Sequence, residues 1–404
     1  MSVKHILLFL LITTLNSSFT IAKNIKLKPG TWRTELKLNN ESSLPFTVEY
    51  SKNTNSVVLI NATERIPLEN VQINENVISI KFPIFNSELI GTIISNKRIE
   101  GYWHNYSKGD KYKIPFVSTC NSKSRFDKPQ TNPEPFIGKW EVTFDYNDSK
   151  EKAIGLFESK ENSMHGTFLT ETGDYRFLEG VSNGNSLELS CFDGSHAFLF
   201  TSELKNDTLW GTFLSGTHYK TNWFAVRNET FELRDPEKLT YLVNDDPITF
   251  NLTDLDGKSY SYPNEDTKNK VVLIQIMGTW CPNCMDETNY LTDLYAQHKN
   301  DIEIIGIGFE VGKSEIDRIN TISKYKHHMK IDYPLLVGGD ACKPCAIKKF
   351  PMLNNIMSFP TLLIIDKKGE VRKIHTGFSG PSTGKYYTDF ITHTNQFIED
   401  LIKE

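Results

Sequence analysis

The run Val271-Val272-Leu273-Ile274-Gln275-Ile276-Met277, followed at once by Gly278-Thr279-Trp280-Cys281-Pro282-Asn283-Cys284, constrains this chain more than any other feature. Seven almost unbroken apolar residues read as a strand covered on both faces, the environment of a sheet flanked by helices. The motif sits where that buried strand ends and the next element begins. A helix is expected from Cys281 to about His298. Cys281 then lies at its N-terminus, where free N–H groups and the positive dipole end favour a thiolate, lowering a thiol pKa from ~8.5 to roughly 3.5–7.5. That makes Cys281 the expected nucleophile toward a disulfide. Cys284, one turn along the same side and less exposed, is the expected resolving thiol.

The residues around this motif extend the pattern. Cys284, Glu287, Leu291 and Leu294 fall on one helix face, and the leucines mark that face as buried. Glu287 is thus expected to point inward, where desolvation raises its pKa and lets it exchange a proton with Cys284. Near the end, Ser358-Phe359-Pro360-Thr361 leads into an apolar strand. A proline there suggests a special backbone beside the redox pair, a cis bond included, which presents Phe359 to an extended substrate chain. From about residue 241 onward strands and helices alternate, starting with a hairpin around Asp256-Gly257 and ending in a helix from Tyr387 to about Lys403, so an α/β domain is expected over 241–404.

Residues 23–232 read differently. Short alternating strands broken by Asn, Gly and Ser dominate, with no long helical period. A weak repeat is visible: Gly30-Thr31-Trp32 and Gly138-Lys139-Trp140 open two segments, and Gly101-Tyr102-Trp103 and Gly211-Thr212-Phe213 mark their late strands. Two tandem all-β domains are expected, over 23–125 and 135–232, joined by a polar, proline-containing linker.

The first 22 residues carry Lys4, an apolar stretch too short to span a bilayer, and the ending Thr20-Ile21-Ala22, the pattern of an export signal. No later stretch is apolar enough to span, so the mature chain is expected to lack a transmembrane segment. A net charge of −5 without a basic block argues against nucleic acid as the partner. Four of the six cysteines form two C-x-x-C pairs, Cys281/Cys284 and Cys342/Cys345. Together these pairs also fit a zinc site, but Cys281 caps a helix after a core strand, with Trp280 before it and Pro282 inside the pair, which favours redox chemistry. For Cys342/Cys345 a local disulfide is favoured over a second redox relay.

Taken together, the run at 280–284, the acid Glu287 three residues beyond Cys284, the strand-leading Pro360-Thr361 and the extra hairpin near 248–262 resemble the TlpA/ResA-like branch of the thioredoxin superfamily, related to the AhpC/TSA peroxiredoxins. The resemblance covers about 242–404 and implies a thioredoxin fold with an N-terminal β-hairpin. By resemblance, Cys281 and Cys284 are the catalytic pair, Glu287 the buried acid and Pro360 cis, with Trp280, Pro282, Phe359 and Pro360 guiding the substrate. It implies an exported, periplasmic or cell-envelope bacterial protein-disulfide reductase that needs no cofactor or metal beyond its own dithiol and takes electrons from a membrane thiol donor. Two other readings stand beside it: a copper chaperone using the cysteines, and an envelope binding protein whose redox domain only regulates it.

Overall fold

The computed structural model describes residues 25–69, 71–120, 124–146, 149–244 and 246–404, so the expected export signal lies outside the described residues. Two nine-stranded antiparallel meanders precede a seven-stranded mixed sheet. The chain is thus two β-rich domains followed by an α/β domain, the multi-domain architecture expected.

The sequence repeat has a physical origin. The first meander runs from Gly30–Lys37 to Lys113–Cys120 and the second from Gly138–Tyr146 to Tyr219–Arg227, and in each the first and last strands pair. Gly30 and Gly138 open their strands at φ +115 and +120, values that favour glycine. Two residues later Trp32 and Trp140 plug their cores, and each indole N–H donates to the carbonyl four residues back, Lys28 at 3.0 Å and Phe136 at 2.8 Å. A glycine is also required at 101, where a Cβ would lie 2.0 Å from the Ile90 carbonyl oxygen. The copies differ in closure. The second closes into a barrel because Ser149–Lys160 pairs with both Gly138–Tyr146 and Ser163–Thr170, whereas the first leaves Glu64–Leu68 and Val71–Asn74 as its edge strands.

The two β-units share a core, which tandem spacing alone does not reveal. Phe192 of the second unit packs on Phe46, Phe82 and Trp103 of the first, with ring centroids 4.3, 5.7 and 5.1 Å away. The connection between them, read from sequence as a polar linker, is anchored by the buried Arg125. Its guanidinium donates to Ser190 Oγ, the Ile60 and Ser190 carbonyls, Asn61 Oδ1 and Glu179 Oε2 at 2.9–3.1 Å. All five donors are used, so the cost of burying the charge is offset by hydrogen bonds and an ion pair.

In the C-terminal domain the strand Val271–Met277 is buried at every residue, as its apolar run requires. It pairs in parallel with Ile302–Glu310, which pairs in parallel with Leu335–Asp340. On its other side lie the antiparallel strands Thr361–Ile365 and Val371–Thr376. The hairpin Phe250–Asp254/Ser259–Tyr262 adds to the Leu335–Asp340 edge. Helices α1 (Pro282–His298), α2 (Glu315–Met329), α3 (Lys343–Lys349) and α4 (Lys385–Lys403) complete the domain. The short α3, over the second cysteine pair, was not expected. The three parallel strands end at one edge of the sheet, so the segments that follow Met277, Glu310 and Asp340 all emerge there.

Candidate active site

The strand Val271–Met277 delivers the chain to α1 through Gly278-Thr279-Trp280. Gly278 is needed for this turn, since a Cβ there would lie 2.4 Å from the Trp280 indole nitrogen. The indole folds back and donates to the Phe309 carbonyl at 2.9 Å, and its ring meets Phe359 edge-on at 5.7 Å. Cys281 is the N-cap of α1: its Sγ accepts from the Cys284 N–H at 3.3 Å. The same sulfur lies 3.4 Å from the Phe359 carbonyl oxygen, to which its thiol donates, and the Phe359–Pro360 bond is cis. Cys281 is half-buried, Cys284 is fully buried, and both are thiols. Burial, followed by the hydrogen bond and charge of Cys281, pushes the Cys284 thiol well above its ordinary value.

Glu287 is fully buried on the face of α1 that holds Cys284, Leu291 and Leu294, not exposed in the first turn. Its Oε2 accepts from the Gln275 amide at 2.9 Å, and the same amide donates to the Cys284 carbonyl at 3.3 Å. Thr288 fixes that amide's orientation, its hydroxyl donating to Gln275 Oε1 at 3.1 Å. The other carboxyl oxygen of Glu287, Oε1, has no hydrogen-bond partner among the described residues. Burial pushes Glu287 up to about 8 against the smaller pull of Gln275, so the acid is mostly protonated at neutral pH.

Sequence reasoning missed a second buried acid. Glu310, at the end of Ile302–Glu310, accepts from the Thr279 N–H at 2.7 Å and the Thr279 hydroxyl at 2.9 Å, and so clamps the turn that carries Trp280 and Cys281. Burial pushes it up to about 7 despite those two bonds. Its only sequence signal is an acid closing an apolar strand. The second cysteine pair lies at the sheet edge beyond Asp340: Cys342 caps α3, accepting from the Cys345 N–H at 3.0 Å, and a disulfide joins the two. Among the described residues no group of three or more His, Cys, Asp or Glu side chains is arranged to hold a metal ion.

The β-units surround this site, which no local pattern announces. The turn 170–174 of the second unit lies on it: Ser358 Oγ donates to the Thr172 carbonyl at 2.7 Å, and Asn283 Nδ2 donates to the Asp174 carbonyl at 3.3 Å. Ser195 Oγ, from another turn, donates to the Trp280 carbonyl at 3.2 Å. Arg176 then reaches Asp286 on α1 and Glu64 of the first unit, tying all three units together one turn from the redox pair. Burial alone would lower Arg176, but Asp286 and then Glu64 raise it well above its ordinary value. Burial and this contact pull Asp286 in opposite directions, with burial pushing its carboxyl up to about 7. The ionised pair is the state that fits, because a guanidinium cannot shed its proton and would otherwise be buried without a counter-charge.

The Redoxin family model matches residues 242–389. A thiol-disulfide oxidoreductase ResA of Bacillus cereus is 30% identical over 141 residues, which cover 34% of this chain and 70% of that protein. ResA of Geobacillus kaustophilus is 29% identical over 144 residues, covering 35% and 73%. Among solved structures, a thioredoxin-family thiol:disulfide interchange protein from Chlorobium tepidum TLS aligns with 40% of this chain and 98% of its own at 20% identity, with a TM-score of 0.30. The chain belongs to the ResA/TlpA-like thiol-disulfide oxidoreductases of the Redoxin family, with two β-rich domains ahead of its thioredoxin-like domain.

Proposed function

We propose that this thiol-disulfide oxidoreductase is an exported reductase of protein disulfides that works through Cys281 and Cys284. The observation that carries the reading is the pairing of a half-buried Cys281 sulfur, 3.4 Å from the Phe359 carbonyl oxygen, with a fully buried Cys284 one helical turn behind it. Only the first sulfur can meet a substrate.

Cys281 thiolate attacks one sulfur of the substrate disulfide, forming a mixed disulfide and releasing the other sulfur as a thiolate. Cys284 passes its proton to the ionised fraction of Glu287, the minority form at neutral pH, and its thiolate attacks Cys281 Sγ. The second substrate sulfur then leaves, and two electrons have passed from the Cys281/Cys284 dithiol to the substrate. Phe359, with its carbonyl oxygen 3.4 Å from Cys281 Sγ, and the cis Pro360 guide what approaches that sulfur, with Trp280 and Pro282 packed beside it. The dithiol is itself the redox group, so no added cofactor enters the cycle. A membrane thiol donor outside the cytosol would restore it. No helix among the described residues is long and apolar enough to cross a membrane.

The direction of flow is tested by the reduction potential of the pair. The protein, with Cys342 and Cys345 changed to Ser, is equilibrated in dithiothreitol buffers while Trp280 fluorescence is followed. A midpoint at or below about −250 mV is expected; one near about −120 mV would make the protein an oxidant.

A further inference from the structure

The middle of a C-x-x-C motif and the residue before the strand-leading proline form the surface on which a partner disulfide must lie. Here that surface is largely taken. Asn283 is 9% exposed, Ser358 3% and Phe359 8%, and Pro282 is buried as well. What covers them is the second β-unit. Gly173 approaches so closely that a Cβ there would lie 2.0 Å from Asn283 Nδ2, and the 171–172 backbone comes within 3.0 Å of where a Cβ on Gly377 would sit. Asp174 pins the turn on the far side, its Oδ2 accepting from the Gly380 N–H at 2.6 Å and its Oδ1 from the Ser382 hydroxyl at 2.9 Å. These contacts are polar, satisfied and fitted around glycines, as a built interface is. Beside Trp280 a pocket of about 230 Å³ remains, bounded by Asn105, Tyr106, Ser195 and Glu310 from all three units, and Cys281 itself does not line it. That is below the ~300 Å³ at which pockets for drug-sized ligands begin, and far from the broad face that a folded protein needs.

We propose that the 170–174 turn is a specificity element of the redox site, limiting Cys281 to disulfides on flexible, unfolded protein segments and excluding those on folded surfaces. The inference rests on the reductase reading above and narrows its substrate class; the exchange steps are unchanged. A thin chain can thread to the sulfur of Cys281, which keeps part of its surface exposed. A folded surface meets the turn first, because its disulfide cannot advance without its neighbours.

The test uses the full chain, pre-reduced, in single-turnover exchange with two probes: a short unstructured peptide dimer joined by one disulfide, and native insulin. Two variants loosen the turn without touching the reacting groups. Gly173→Ala wedges it off Asn283, and Asp174→Ala removes its hold on Gly380 and Ser382. The unaltered protein is expected to prefer the peptide by about tenfold or more, and both variants are expected to shrink that ratio by speeding insulin alone. Alkylation gives an activity-free readout. Cys281, followed by mass spectrometry of its peptide, should react with N-ethylmaleimide far faster than with a maleimide on a long polyethylene glycol chain, and the gap should narrow in both variants. Equal rates on the two probes in the unaltered protein, or bulky labelling as fast as small, would overturn the specificity role while leaving the reductase reading intact. Reduction of neither probe would overturn the reductase reading and this inference with it.

Discussion

Replacing Cys281 by Ser is expected to lower disulfide exchange by about 10³-fold or more, to the level of the uncatalysed reaction, because a serine hydroxyl at this position cannot form the mixed disulfide. Cys284→Ser should behave differently. Its first step is intact, since Cys281 keeps both its place as N-cap of α1 and its approach to Phe359. The mixed disulfide then has no resolving thiol and accumulates on Cys281. Non-reducing electrophoresis after mixing with substrate should show a covalent adduct for Cys284→Ser and none for Cys281→Ser. An adduct with the opposite preference would reverse the roles of the two sulfurs.

Glu287→Gln should move stability and activity in opposite directions. The folded-state carboxyl is pushed by burial from 4.5 up to about 8, so between these values the folded chain holds a proton that the unfolded chain has lost. The stability contributed by that protonated acid is complete below the ordinary carboxyl value and is lost as pH rises through about 8. Glu310, pushed up to about 7 by burial, adds a second fall in the same direction. Urea midpoints of the unaltered protein are therefore expected to drop between about pH 5 and about pH 8. Glu287→Gln should flatten that drop and gain up to about 4 kcal/mol at the alkaline end. The amide keeps the buried shape and the contact with Gln275, but it cannot take a proton from Cys284. Stopped-flow fluorescence should show the resolving step slowed by roughly 10²-fold with its pH dependence lost. A variant with unaltered kinetics and a flatter stability profile would leave Glu287 a merely structural acid.

Legibility in the sequence followed the range of the physics involved. The strand at 271–277 and helix α1 stand out because burial on two faces and the chemistry of a helix N-terminus are local, imposed within a few residues. The strand Thr361–Ile365 is legible for the same reason, and the edge strand Val371–Thr376 through the Lys368-Gly369 turn that pairs it with that apolar run. The β-repeat is visible through Gly30, Trp32, Gly138 and Trp140, since a positive φ and a core plug each demand one residue type. The short α3 was hidden because its seven residues carry too little periodicity. The anchoring of the linker was not legible, because the five acceptors of Arg125 are assembled around it only in the folded chain.

The sequence by itself therefore determined the chemistry this chain can perform and the fold that carries it: a helix-capping thiol, a second thiol a turn behind, and an inward acid on the same face. Only the tertiary structure decided how that chemistry is framed. Arg176 and Asp286 are 110 residues apart in the chain, and Ser358 and Thr172 are 186 apart, yet each pair meets at the redox site. Such contacts depend on how whole units dock, a sum over many weak surfaces, and leave no periodicity or spacing in the sequence to read.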